Sequence, residues 1–155
     1  GPRHFILHPN QHFGYLIEEL SGTVVAFKYK KGKLKRIQRI STMPAGDTQF
    51  PGSADIHMSK DGRFLYASNR ANANTIAIYS VSAKGKLQLI GHQSSLGRGP
   101  RNFNFDPTEK YLLVGNQNSD EIVIFERNSE TGLLKDTGKR IAVGKPVCIK
   151  WIPVN

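Results

Sequence analysis

The sequence holds a single cysteine, Cys148, among 155 residues. One thiol excludes an internal disulfide framework and fits a reducing compartment, so a cytoplasmic chain is expected. No apolar run approaches the roughly 18 residues that a membrane-spanning helix needs, and no membrane partner is expected. The opening Gly1-Pro2-Arg3-His4 lacks signal-peptide character. The spacing of His, Cys and carboxylates nowhere matches a zinc site, so neither a metal nor another cofactor is expected. A Gly-x-Ser-x-Gly elbow is missing, which leaves a serine-hydrolase mechanism without support. Gly97-Arg98-Gly99-Pro100 lacks the Lys-Ser/Thr ending of a phosphate loop. Acidic residues are scarce: 12 Asp and Glu stand against 22 Lys and Arg, a net charge of +10. That balance favours anionic partners without choosing between a phosphorylated metabolite, nucleic acid and an acidic surface. Few stretches are free of Gly and Pro, which argues against helices.

What is present is a repeat. GPRHFILHPNQHFGYLIEELSGTVVAF from Gly1, GSADIHMSKDGRFLYASNRANANTIAI from Gly52 and GPRNFNFDPTEKYLLVGNQNSDEIVIF from Gly99 align without a gap. Each runs on to a Gly-x-Leu turn: Gly32-Lys33-Leu34, Gly85-Lys86-Leu87 and Gly132-Leu133-Leu134. Within each unit four short apolar or alternating runs are separated by Gly, Pro, Asn or Asp. Four strands recurring at about 50 residues describe a β-propeller blade. A WD40 blade is shorter and carries GH and WD dipeptides that are missing here; a β-sandwich would not explain the repeat. The expected fold is all-β: one partial propeller domain over 1–155, with blades at about 1–43, 53–95 and 99–143. A fourth copy starts at Gly144 and stops after one inner strand, 146–153, centred on Val147 to Ile152. Its missing strands, and the rest of the ring, are expected upstream, with Gly1 a truncation and Asn155 near a natural C-terminus. Three blades leave edges exposed, so the chain alone is expected to be marginal, oligomeric or aggregation-prone.

The first and second strands of a blade are antiparallel, so the start of one and the end of the other share a face of the disc. There the copies differ most. They carry Arg3-His4, Ala54-Asp55 and Arg101-Asn102 at the first position, and Glu18-Glu19, Asn69-Arg70 and Asn116-Gln117 at the second. Two residues further into the first strand stand Ile6, His57 and Asn104. A constant scaffold with different polar residues on one rim is how a repeat fold builds an asymmetric site. The connection from Leu34 to Ala54 is longer than its two counterparts, so residues 41–53, with Asp47 and Phe50, form a candidate lid or substrate wall. The basic run from Lys28 to Arg36 spans an outer hairpin and lacks interleaved stacking aromatics, so no nucleic-acid partner is expected. His8, His12 and His92 are read as solvated, and Cys148 as packed core.

These segments, ADIHMSKDGRFLYASNR above all, resemble the C-terminal repeats of the lactonase-type seven-bladed propellers. That family includes the propeller form of 6-phosphogluconolactonase and is related to a fungal muconate-lactonising enzyme. Lys60 departs from the family's usual Pro in the SPDG turn. The resemblance implies metal-independent hydrolysis of 6-phosphoglucono-1,5-lactone to 6-phosphogluconate in the pentose phosphate pathway. Ester hydrolysis needs a base for water, a donor for the oxyanion and an anchor for the substrate. His57, Glu19, His4 and Arg70 are the expected catalytic groups, with the base left open among Glu19 and the histidines. Arg3, Asp55, Arg101, Asn102 and Gln117 are expected to bind the phosphorylated sugar lactone. The alternatives are a non-catalytic propeller that binds a protein or small anion on this rim, and an enzyme acting on another cyclic ester.

Overall fold

In the computed structural model, which describes residues 1–152, twelve strands form three four-stranded antiparallel sheets. The first sheet is β1 (Pro2–Leu7), β2 (Phe13–Glu18), β3 (Thr23–Lys30) and β4 (Lys33–Ser41). The second is β5 (Ser53–Met58), β6 (Phe64–Asn69), β7 (Thr75–Val81) and β8 (Leu87–Ser94). The third is β9 (Pro100–Phe105), β10 (Tyr111–Asn116), β11 (Glu121–Arg127) and β12 (Leu134–Ala142). Each strand pairs with its successor, so every sheet is a simple meander. The innermost strands β1, β5 and β9 lie side by side, which is the arrangement of propeller blades around an axis.

Alternation along the second strand of each blade joins neighbouring sheets. Phe13, Tyr15 and Ile17 of β2 are buried against Ile56, Leu65 and Ala67 of the second sheet. Phe64 and Tyr66 of β6 point the other way and pack with Phe103, Phe105 and Leu112 of the third. The middle sheet is therefore covered on both faces. The same device closes both seams: Tyr15 donates its hydroxyl to the Gly85 carbonyl at 3.1 Å, and Tyr66 to that of Gly132 at 2.7 Å. Each of these glycines has a φ above +70° and lies under an aromatic ring, Phe13 or Phe64; a Cβ there would fall 2.3 or 2.4 Å from a ring carbon. The third blade has Leu113 at the corresponding tyrosine position.

A buried asparagine ends the second strand of blades two and three and ties it to the inter-blade linker, whereas β2 of blade one ends in Glu18. Asn69 accepts hydroxyl bonds from Thr42 and Ser53, both at 2.7 Å, and donates to the Thr42 carbonyl. Asn116 donates to the Ser95 carbonyl at 3.0 Å, but its own side-chain oxygen has no partner among the described residues. Pro100 stands where Ser53 supplies a hydroxyl in the preceding blade. Lys60 puts to use the N–H that a proline would lack: it donates to the Glu109 carboxylate at 2.9 Å, and its ammonium reaches the Pro107 carbonyl.

Three expectations need correction. Residues 144–152 carry no strand, and Pro153 and Asn155 lie outside the described residues. A strand needs a ladder partner, and this segment instead meets side chains and single carbonyls. Ile149 donates to Asn102 at 2.7 Å and accepts from Asn104 at 3.1 Å, while the Trp151 indole donates to the Phe105 carbonyl. Cys148 is exposed, not packed, because no sheet covers it. Two of the three histidines read as solvated are bonded across a seam: His92 meets the Thr42 carbonyl at 2.9 Å and His8 the Gly62 carbonyl at 3.2 Å. His12 is exposed.

The aromatic cover makes one glycine far less replaceable than another. Gly85→Ala is expected to cost about 3 kcal/mol, combining a left-handed backbone with overlap of the Phe13 ring. Gly138→Ala, with φ +73° but open space around it, should cost only about 1 kcal/mol. Urea denaturation of both variants compares them, and equal losses would show that the ring does not bear on Gly85.

Candidate active site

Every innermost strand has a register irregularity at its start: between Pro2 and His4, between Ser53 and Ile56, and opposite Asn116 where Pro100 and Asn102 flank Arg101. A bulge breaks the strict in–out alternation of a strand and re-aims side chains. Arg3 and His4 therefore both reach the same cleft, which holds about 550 Å³ between blades one and two and the segment after β12. His4, Asp55, His57, Asn102, Cys148 and Lys150 also line it.

Asp55 is the centre of the first cluster. One carboxylate oxygen meets His4 Nδ1 at 2.8 Å, and the other meets His57 Nε2 at 3.2 Å. The side-chain amide of Asn102 and the backbone N–H groups of Ile56 and Phe103 complete its coordination. Burial pushes the carboxyl upward, but the hydrogen bond and charge of His57, the bond from His4 and the Phe103 N–H outweigh it and hold the group at about 2. An ionised carboxylate only accepts, so each histidine presents an N–H to it and keeps its other ring nitrogen for a ligand. That nitrogen is Nε2 on His4 and Nδ1 on His57. The His57 ring is steadied by Phe103 in an edge-to-face contact with centroids 4.9 Å apart. The His4 side chain is 45% exposed and that of His57 27%, against 5% for Asp55.

The second cluster adjoins the first through Arg3. Arg3 donates to the Ala54 carbonyl at 2.9 Å and to Glu19 at 3.1 Å. Arg70 donates to the other Glu19 oxygen and, at 2.9 Å, to the Gly52 carbonyl. Burial favours a protonated Glu19, but the Arg70 bond and the Arg3 charge win and keep its carboxyl below the usual range. Glu19 thus clamps two guanidinium groups and is poorly suited to take a proton. The neighbouring Glu18 belongs to a separate network with Thr23, Ser21 and Arg39.

The fold thus gathers His4, Asp55, His57 and Asn102 in one cluster and Arg3, Glu19 and Arg70 in the next. Arg101 and Gln117 line neither, and their side chains have no hydrogen bond among the described residues. In the long linker Asp47 caps its own turn by accepting from Gln49 at 2.9 Å, while Phe50 is exposed beside Gly52. Sequence reasoning missed Lys150 and Cys148 as cleft residues. The signal was available, since the fourth copy aligns Cys148 with His4, Asp55 and Asn102, and Lys150 with His57 and Asn104.

A family model for "Lactonase, 7-bladed beta-propeller" matches residues 1–151. A 6-phosphogluconolactonase of Formosa agariphila is 46% identical over 145 residues, 92% of this chain and 41% of that protein. One of Bacillus subtilis is 37% identical over 155 residues, 98% of this chain and 44% of that protein. Among solved structures, the periplasmic gluconolactonase of Pseudomonas aeruginosa superposes with a TM-score of 0.96 at 36% identity, covering all of this chain and 43% of its own. The chain spans less than half the length of the curated relatives it matches.

Because its carboxyl is depressed from 3.8 to about 2, Asp55 stabilises the fold fully above about pH 4 and loses that contribution as pH falls toward about 2. Urea unfolding across this window should show the wild type losing about 2 kcal/mol more than Asp55→Asn. Parallel pH curves for the two proteins would remove the ionised carboxylate from the centre of the cluster.

Proposed function

Since the chain belongs to the lactonase family of seven-bladed β-propellers, we propose that it supplies three blades of a hydrolase that opens 6-phosphoglucono-1,5-lactone to 6-phosphogluconate. The observation that carries the reading is the single buried carboxylate shared by two histidines in a cleft edged with arginine. His4 takes a proton from water through Nε2, with Asp55 holding the tautomer and stabilising the imidazolium that forms. The hydroxide attacks the lactone carbonyl carbon, and the oxyanion faces Arg3, whose cluster with Glu19 and Arg70 carries one excess positive charge. The tetrahedral intermediate collapses, the bond from the carbonyl carbon to the ring oxygen breaks, and that oxygen takes the proton from the imidazolium. His57 is placed to hydrogen-bond the departing oxygen. The products are a free hydroxyl and a carboxylic acid, which ionises to the carboxylate by releasing its proton to solvent. Every group in this scheme is a side chain.

Asp55 and Glu19 act here as positioning residues, which revises the expectation that Asp55 touches substrate and that Glu19 handles protons. The outward faces of blades one and three, with Phe5, Leu7 and Leu34 exposed on the first and Ile141 on the third, suit the remaining blades of the ring as partners. The phosphorylated substrate is a cytoplasmic metabolite, and no helix among the described residues is long and apolar enough to cross a membrane. A second reading, hydrolysis of unphosphorylated gluconolactone, is favoured by the likeness to the Pseudomonas gluconolactonase.

The test is hydrolysis of freshly prepared 6-phosphogluconolactone and of gluconolactone by the full natural chain containing these residues. His4→Gln should lower kcat/KM by about 10²-fold or more, as loss of a general base does. Glu19→Gln should cost less, acting through the two arginines. Undiminished turnover by both His4→Gln and His57→Gln would remove this mechanism, and no turnover of either lactone by the wild type would favour a binding protein.

A further inference from the structure

We propose that Lys150 anchors the phosphate of the substrate and so sets the preference for a phosphorylated over an unphosphorylated lactone; this rests on the lactonase reading above. The two arginines of the adjoining cluster already have partners within the protein. Arg3 is held by the Ala54 carbonyl and Glu19, and Arg70 by the Gly52 carbonyl and Glu19. Arg101 does not line the cleft. Lys150 does, and its ammonium is exposed with no ion pair or hydrogen bond among the described residues. A compact ammonium with three open donors is a common phosphate ligand.

Lys150 enters the cleft for a structural reason. Asp55 accepts from the backbone N–H of Phe103 in the next blade. Asn102, at the corresponding place one blade on, accepts from the backbone N–H of Ile149. The two bonds are the same interaction repeated, so Ile149 occupies the place of Phe103. Lys150 then stands where Asn104 stands in blade three and His57 in blade two. The residue at the His57 level of the cleft is thus an imidazole in one blade and an ammonium two blades on. The lactone carbonyl faces the histidines, and the phosphate, at the other end of the substrate, faces Lys150.

Two readouts test this in the full natural chain. In the first, the ratio of kcat/KM for 6-phosphogluconolactone to that for gluconolactone is compared between wild type and Lys150→Met. The ratio should fall about tenfold or more, and Lys150→Arg should restore most of it, since either cation can pair with phosphate. An unchanged ratio overturns the proposal. The second readout needs no turnover and therefore separates failure of the anchor from failure of the lactonase reading. Cys148 lines the same cleft and is exposed. Its alkylation by iodoacetamide, followed by mass spectrometry of the peptide that contains it, should be slowed by 6-phosphogluconate more than by gluconate. That difference should vanish in Lys150→Met. Equal protection by the two acids in the wild type overturns the anchor, even in a protein that hydrolyses both lactones.

Discussion

A sheet that is apolar on both faces must be covered on both, and the whole arrangement follows from how this chain meets that requirement. The middle blade succeeds within the chain. Leu65 and Ala67 face one neighbour while Phe64 and Tyr66 face the other, and all four are buried. The seams are set by contact between aromatic rings and bare glycine backbone at Gly85 and Gly132, and each is locked by a phenol bonded to a carbonyl. Those contacts fix the separation of the sheets, and with it the separation of β1, β5 and β9. Only at that separation can one carboxylate on β5 be reached by a histidine from β1 and by an amide and a backbone N–H from β9.

The charges of the cleft are arranged across blade boundaries. His4 of the first blade and Asn102 of the third both bind Asp55 of the second. Glu19 of the first blade joins its own Arg3 to Arg70 of the second. An unpaired buried carboxylate would be costly; buried Asp55 is met by donors from all three blades, and half-buried Glu19 by donors from two. The site therefore depends on correct assembly of neighbouring sheets. The net positive charge of the chain is less informative than the question of which cations are already spoken for.

Much of the fold could be read in advance because a propeller writes its period into the sequence. Strand positions, turn glycines and the two rim sets all repeat at the same offsets, and offsets survive translation into space. The pairings inside the rim did not, for physical reasons. Arg3, Glu19 and Arg70 look alike as free polar groups in a sequence; only coordinates reveal that Glu19 takes a bond from each guanidinium group. Asp55 reads as a ligand-binding acid until its burial and five donors are known. Cys148 sits in an apolar run that suggests a packed strand, but packing needs a partner sheet, and none flanks it among the described residues. Arg3 and His4 are adjacent, and strict alternation would send them to opposite faces; the irregularity at the head of β1 lets both serve one cleft.

The long connection between blades one and two is attached at its ends. Thr42 and Ser53 are pinned to Asn69, Pro51 rests on Gly22, and Gly52 offers its carbonyl to Arg70. Between these anchors, residues 44–50 mostly bond among themselves or stand exposed, with Gln49 reaching Asn72. None of residues 41–53 lines the cleft, so the cleft and this connection are mechanically separate parts. Evolution can lengthen, shorten or replace that connection while the reactive groups stay in register.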